Sequence, residues 1–276
     1  HEYCSIQGEP AGSTLTVATE RVVVEHRQQH STKVREPGRN LRILRNYVAR
    51  VGETDVRALY YLGVEYAMHG DVGQSLRYLR RYSQLADWDD EKCKAMLAIG
   101  EHYRNIGDHE LAIRWSQDAT ITKSWPEPWF AMGRSFYAMA KRDERPEYNY
   151  KRAASHFMRG LDYPTDVVLF ANPQERHEIH AFLNVCFHAV GDLDRALWSC
   201  DEGLKGIPNH PMLLDNRRVY AREKLRRIVV GGIDELLKDG AISKDQAGLM
   251  RATLSGELRL EAPPTAPESV PALEPQ

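Results

Sequence analysis

The stretch LGVEYAMHGD at residues 62–71 returns as IGEHYRNIGD at 99–108 and, more loosely, as LNVCFHAVGD at 183–192. In each copy an apolar residue precedes a Gly or Asn, an aromatic follows three residues later, and Gly-Asp closes the phrase. Offsets of three and four fall on one face of an α-helix. A small residue there lets a second helix come close, and the aromatic fills the space beside the crossing. Gly-Asp supplies both halves of a sharp turn: a left-handed glycine that ends one helix and a carboxylate that caps the next. A chain that repeats this phrase and varies everything between is building a stack of helix pairs.

Aligned on the apolar residue, the register is Leu62-Gly63, Ile99-Gly100, Met132-Gly133 and Leu183-Asn184, followed by Tyr66, Tyr103, Phe136 and Phe187. The helix after each turn carries Ser75, Ala112 or Ala196 where it crosses the first, with Ala119 and Gly203 further on. Successive units start 37, 33 and 51 residues apart, and Pro126 and Pro208 stand near unit ends. This grammar resembles the tetratricopeptide repeat, whose period is about 34 residues. The resemblance implies a mainly α protein, a right-handed α-solenoid of antiparallel helix pairs whose first helices line a concave groove. The long third interval has two sources. KRDERPEYNY at 141–150 replaces the third Gly-Asp, and LDYPTDVVLFANPQERHE at 161–178 lengthens the next connection; both are predicted as loops or short extra turns. HPMLLDNRRVYAREKLRRIV at 210–229 then predicts a capping helix with Leu213, Leu214, Val219, Tyr220, Leu225 and Ile228 on one side.

Composition removes several functional classes. A net charge of -2 and a pI near 6.6 give no footprint for nucleic acid. The apolar runs are far shorter than the roughly 20 residues of a membrane span, and no basic start with an apolar core marks a signal peptide. Cysteines at 4, 93, 186 and 200 lack CxxC spacing and sit in helical patterns. They read as buried, reduced thiols, which favours the cytoplasm. The chain opens on His1 without a methionine, as a piece of a longer product would.

Residues 1–38 depart from the repeat grammar. STLTVATERVVVEHRQQ at 13–29 has the β-branched composition of one or two strands, a short N-terminal β segment. Two strands alone are unstable, so they either cap the solenoid or end a sheet begun elsewhere. HEY at 1–3, VVVEHRQQHSTKVREPGRNLRIL at 22–44, DVRALYYLGVEYAMHGD at 55–71, DWDDEKCKAMLAIGEHY at 87–103 and SWPEPWFAMG at 124–133 resemble bacterial family-2 glycosyltransferases with a C-terminal tetratricopeptide extension. The resemblance implies that residues 1–38 close a catalytic domain and that His1, Glu2 and His26 are a remnant of its donor or metal site. A complete enzyme of that kind would use a divalent metal such as Mn or Mg on the diphosphate. No cofactor is expected in this chain, and no activity from it alone, because the nucleotide-sugar domain and its DxD motif are lacking. DWDD at 87–90 and DLD at 192–194 fall at solenoid turns and read as helix caps. HEIH at 177–180 lacks the spacing of a zinc helix.

Counting from the register places Arg57, Tyr60, Lys94, Arg104, Asn105, Arg134, Tyr137 and His188 on the concave wall. Cations and amphipathic aromatics there suit an extended acidic peptide, a partner protein or a glycan acceptor. The Asn and Lys arrangement that clamps a peptide carboxylate in chaperone-binding relatives is not reproduced. Eight Lys or Arg against two Glu in residues 21–50, and Arg217, Arg218, Arg222, Lys224, Arg226 and Arg227 further on, read as solvated faces or as steering patches. The domains are therefore residues 1–38, the end of a glycosyltransferase domain; 39–230, a TPR-like α-solenoid with capping helix; 231–256, a helical hairpin around Gly240 with Ser243 as N-cap, read as an oligomerisation element; and 257–276, a Pro-rich disordered tail. The alternative to a glycosyltransferase fragment is a free-standing TPR scaffold with no enzymatic activity.

Overall fold

A computed structural model describes residues 37–163 and 175–257, with side chains through residue 254. The N-terminal β segment, Cys4, the tail beyond 257 and the candidate residues His1, Glu2 and His26 lie outside the described residues. Among those described, every regular element is a helix: α1 (Arg39–Val51), α2 (Val56–Met68), α3 (Val72–Leu85), α4 (Asp89–Asn105), α5 (His109–Thr122), α6 (Pro126–Ala140), α7 (Glu147–Leu161), α8 (Glu175–Ala189), α9 (Leu193–Gly206), α10 (Pro211–Lys238) and α11 (Lys244–Glu257). Four antiparallel pairs, α2/α3, α4/α5, α6/α7 and α8/α9, stack in chain order, and α10 covers the last. Contacts also run from α4 to α6, α6 to α8 and α8 to α10. From the second pair on, the first helix of each pair thus meets the first helix of the next element, which makes that row the tighter, inner side of an α-solenoid.

The Gly-Asp turns form as local chemistry dictates. Gly70, Gly107 and Gly191 take φ of 77°, 87° and 82°, where a Cβ would be strained. Asp71, Asp108 and Asp192 then accept from the backbone N–H groups of Gln74, Leu111 and Arg195 at 3.0, 3.1 and 3.0 Å. In the third unit Asp143 takes over, accepting from the Arg145 N–H and from Asn149 Nδ2, both at 2.9 Å. The insertions are shorter than the sequence suggests. Glu147–Tyr150 is already the first turn of α7 and Glu175–Glu178 that of α8. Pro146 suits a helix start, where no donor is lost, and the acidic residues favour the positive end of each helix.

Small residues do the packing expected of them. Ser75, Ala112 and Ala196 are at most 2% exposed. In the third pair the arrangement is reciprocal: a Cβ on Gly133 of α6 would stand 2.5 Å from the Phe157 ring of α7, and one on Gly160 of α7 would stand 2.4 Å from the Phe130 ring of α6. Each glycine is the seat for the other helix's phenylalanine. Asn184 replaces the glycine in the fourth unit and holds a buried network instead. Its Nδ2 donates to the carbonyls of His180 and Ala181, both at 2.8 Å, while its Oδ1 accepts from Asn216 Nδ2 at 2.7 Å and Tyr220 O–H at 3.2 Å. A buried amide with its donors and acceptor satisfied ties α8 to α10 specifically.

The core forms three main clusters along the stack: Val48, Ala58 and Leu62 under α1; Leu59 to Ala112 across α2–α5; and a larger one from Phe130 to Tyr220 across α6–α10. The capping helix departs from expectation. Leu213 and Tyr220 are buried against the stack, but Leu225 and Ile228 are 54% and 62% exposed. Residues five and eight beyond Tyr220 have rotated about 140° and 80° around the helix, so a single apolar face cannot hold all four. The helix also runs without a break through residue 230 to Lys238. It turns at Gly240, φ 72°, into α11, whose start is closed by a capping box between Ser243 and Gln246, at 2.8 and 3.2 Å. Ile233 and Ala247 are buried between these two helices.

Candidate functional site

The inner row of helices encloses an open cleft of about 410 Å³ between α2, α4, α6 and the start of α8. Its floor is made by small residues, Ala98, Gly100, Ala112 and Ala131, which keep the backbones close and leave room above them. Six ionisable side chains of opposite sign line it: Lys94, Arg104 and Arg134 against Glu101, Glu127 and Glu175. Arg134 meets Glu175 at 2.7 Å with both side chains under a quarter exposed, and Arg104 meets Glu101 at 2.6 Å along the helix. His102 Nε2 lies 2.9 Å from the Ser75 hydroxyl, and burial lowers its pKa. Tyr60 is the aromatic of the wall, and burial foremost, then the Glu91 carboxylate, pushes its phenol up to about 12. It is a neutral hydroxyl at ordinary pH.

Of the eight groove residues read from the sequence, Tyr60, Lys94, Arg104 and Arg134 meet in this cleft. The other four go elsewhere. Arg57 lies 3.7 Å from the buried Glu91 carboxylate and over the Tyr61 and Trp88 rings. Glu91 in turn accepts from Tyr82 O–H at 2.7 Å, so this acidic residue of the DWDDE segment belongs to the core. Asn105 is exposed at the end of α4. Tyr137 is 3% exposed and packs edge-on to Phe182 at 5.1 Å, because residue 137 shares a helix face with Gly133 and follows it into the core. His188 faces α10, with Nε2 2.8 Å from Glu223 and its ring stacked on Tyr220 at 4.4 Å.

Sequence reasoning missed the acidic half of the cleft. Glu127 and Glu175 sit in the first turns of α6 and α8, where an acid is ordinarily explained by the helix dipole alone. Glu127 is 8% exposed with Oε2 unpartnered, and desolvation raises its pKa; the nearby Glu175 acts in the same direction. A carboxyl whose folded pKa is raised destabilises the fold above that pKa and ceases to do so as pH falls through the ordinary carboxylate range. Glu127→Gln is therefore expected to raise the melting temperature at neutral pH, with the gain shrinking under acid. Thermal scans of both proteins across pH check it, and a gain that does not vary with pH contradicts it.

The described cysteines lie in the core, away from the cleft. Cys93, Cys186 and Cys200 are buried and unpaired, and burial pushes Cys93 and Cys200 up to about 12 and Cys186 upward as well. His180, from the HEIH segment, lies 3.2 Å from the Ser199 hydroxyl, and no group of three His, Cys, Asp or Glu suited to a metal occurs among the described residues. No described helix is long and apolar enough to cross a membrane.

No protein-family model and no curated protein matches the chain. Solved structures do. A crystal structure of MamA is similar at 14% identity and a TM-score of 0.49, covering 61% of this chain and 87% of that one. TTC0263, a thermophilic TPR protein of Thermus thermophilus, is similar at 21% identity and a TM-score of 0.36, over 67% of this chain and 89% of its own. The TPR2AB-domain:pHSP90 complex of yeast Sti1 is similar at 12% identity and a TM-score of 0.32, over 78% and 90%. The stacked pairs, their glycine crossings and the inner cleft define the class: a tetratricopeptide-like α-solenoid. The glycosyltransferase resemblance finds no counterpart among these comparisons, and the catalytic-domain residues assigned through it lie outside the described part of the chain.

Proposed function

We propose that this chain is a protein-interaction scaffold that holds an extended segment of a partner along its inner cleft. The observation that carries the reading is the pairing of Arg134 with Glu175 and of Arg104 with Glu101 within an open channel floored by small residues. Polar groups fixed in advance by each other lose little freedom when a ligand arrives, which favours binding. Their signs balance, so the preferred ligand is a peptide of mixed polarity that hydrogen-bonds along the wall. That departs from the acidic peptide suggested by counting cations alone. A glycan acceptor fits less well, because Tyr60 is the one Tyr, Trp or Phe among the described residues of the lining and ring stacking has little else to use. The reading holds whether or not residues 1–38 close a glycosyltransferase domain.

A peptide array probed with the purified chain tests it. Ala131→Arg fills the channel from its floor and is expected to weaken captured peptides at least about tenfold, whereas Arg114→Ala on an exposed part of α5 should leave them bound. An array that captures nothing, or peptides indifferent to Ala131→Arg, would overturn the proposal.

A further inference from the structure

Helix α10 presents three faces. Asn216 and Tyr220 point into the stack, and Ile233 packs under α11. The third face carries Ala221, Leu225, Ile228, Gly232 and Leu236 at spacings of three and four. Such spacing keeps residues on one stripe of a helix. This stripe turns away from the stack: Leu225, Ile228 and Leu236 are 54%, 62% and 43% exposed, and a Cβ on Gly231 or Gly232 would find nothing within 4 Å. It extends roughly 22 Å along the helix at 1.5 Å per residue. An apolar stripe of this length beside two adjacent glycines is a helix-packing seam with its partner absent.

The charges along α10 say what the partner is. Arg222 and Arg226 precede the middle of the stripe, and Glu235 and Asp239 follow it; among the described residues none of the four has an ion-pair or hydrogen-bond partner through its side chain. Their neighbours do pair internally, Arg217 with Asp201, Lys224 with Asp194, Arg227 with Glu223 and Arg251 with Asp234. A parallel pair of α10 helices would set like charge beside like. An antiparallel pair sets the basic half of each helix alongside the acidic half of the other and brings the glycines to the crossing. We propose that α10 is a self-recognition element that joins two copies of this chain antiparallel through the Leu225, Ile228 and Leu236 stripe. The inner cleft is not part of this surface, so the inference goes beyond the scaffold reading.

Sedimentation velocity over a wide concentration range tests it on the full chain. The native chain is expected to pass from monomer to dimer, with weaker association at high salt. Leu225→Glu with Ile228→Glu should keep the circular dichroism of the native chain, since both positions are exposed, and should raise the dissociation constant more than about tenfold. The arrangement itself is read by charge reversal. Arg222→Glu with Arg226→Glu, and separately Glu235→Lys with Asp239→Lys, should each weaken self-association, and an equimolar mixture of the two variants should restore a dimer. A chain that stays monomeric at every concentration overturns the proposal, as does a dimer indifferent to the two glutamates. A mixture that fails to recover overturns the antiparallel pairing. A dimer that appears only once residues 258–276 are removed would assign the stripe to the chain's own tail and overturn the proposal as well.

Discussion

Gly133→Ala and Gly231→Ala, the same exchange in helices of the same protein, are expected to move stability in opposite directions. On helix propensity alone each should stabilise by roughly 0.5–1 kcal/mol, because glycine loses the most backbone freedom on folding. Within the single chain Gly231 has that gain undisturbed, with nothing within 4 Å of the added methyl, so the gain is read at concentrations where the chain is monomeric. At Gly133 the methyl would stand 2.5 Å from two atoms of the Phe157 ring and 2.9 Å from a third. Phe157 is fully buried and cannot swing away, so the two helices must part. Overpacking of this kind costs about 1–3 kcal/mol and more where the neighbour is rigid, which outweighs the propensity gain. Gly160→Ala should behave like Gly133→Ala, since its methyl meets Phe130 at 2.4 Å. Urea titrations of the three variants check the signs. A Gly133→Ala protein as stable as Gly231→Ala would mean that α6 and α7 do not seat on each other's glycines.

Acidification is expected to begin destabilising the protein well above the pH at which its carboxylates protonate. His180 is 7% exposed between Ser199 and Trp198, whose ring stands edge-on at 5.4 Å. The Ser199 hydroxyl donates to the His180 carbonyl at 3.1 Å, so the imidazole carries its proton on Nδ1 and donates back to Oγ. Burial drives its pKa down from 6.5 to about 4. The unfolded chain therefore binds a proton that the folded one refuses. Stability is complete above about 6.5 and falls as pH drops toward about 4, by roughly 3 kcal/mol over the whole window at 1.36 kcal/mol per unit. Burial also lowers His102, His109 and His156, which adds to the loss in the same direction. His180→Gln should flatten the profile of unfolding free energy against pH. An unchanged slope would place the acid sensitivity elsewhere.

The turns were legible because their chemistry is local. A glycine that must take positive φ and a carboxylate that must meet the third N–H beyond it can be read from two adjacent letters, and Asp71, Asp108 and Asp192 stand as read. Where the letters were missing, Asp143 made different bonds, to the N–H two residues on and to the Asn149 amide, α7 started from its N-cap Pro146 without a side-chain cap, and that start was missed. The cleft was half legible. Register counting found Lys94, Arg104 and Arg134, because cations one or two positions off the packing face must come near solvent. It failed for Tyr137, which shares its face with Gly133, and for Arg57, drawn to a buried Glu91 thirty-four positions later. Glu127 and Glu175 carried no distinguishing signal. Only the approach of α6 to α8 turns two ordinary first-turn acids toward one channel.

The three unequal core clusters also set the order in which the molecule comes apart. In a stack each layer is held only by its neighbours, so stability is a chain of local terms rather than one shared total. The cluster under α1 is the smallest of these three, and among the described residues it has a neighbour on one side only. The largest spans α6 to α10 and is pinned by the Asn184 network. The α1 cluster is therefore expected to open before the large one, and backbone amides of α6 to α9 are expected to exchange last in a hydrogen-exchange measurement. A partner lying in the cleft straddles the seam between the middle and large clusters. It would splice two separately breathing segments into a single cooperative one.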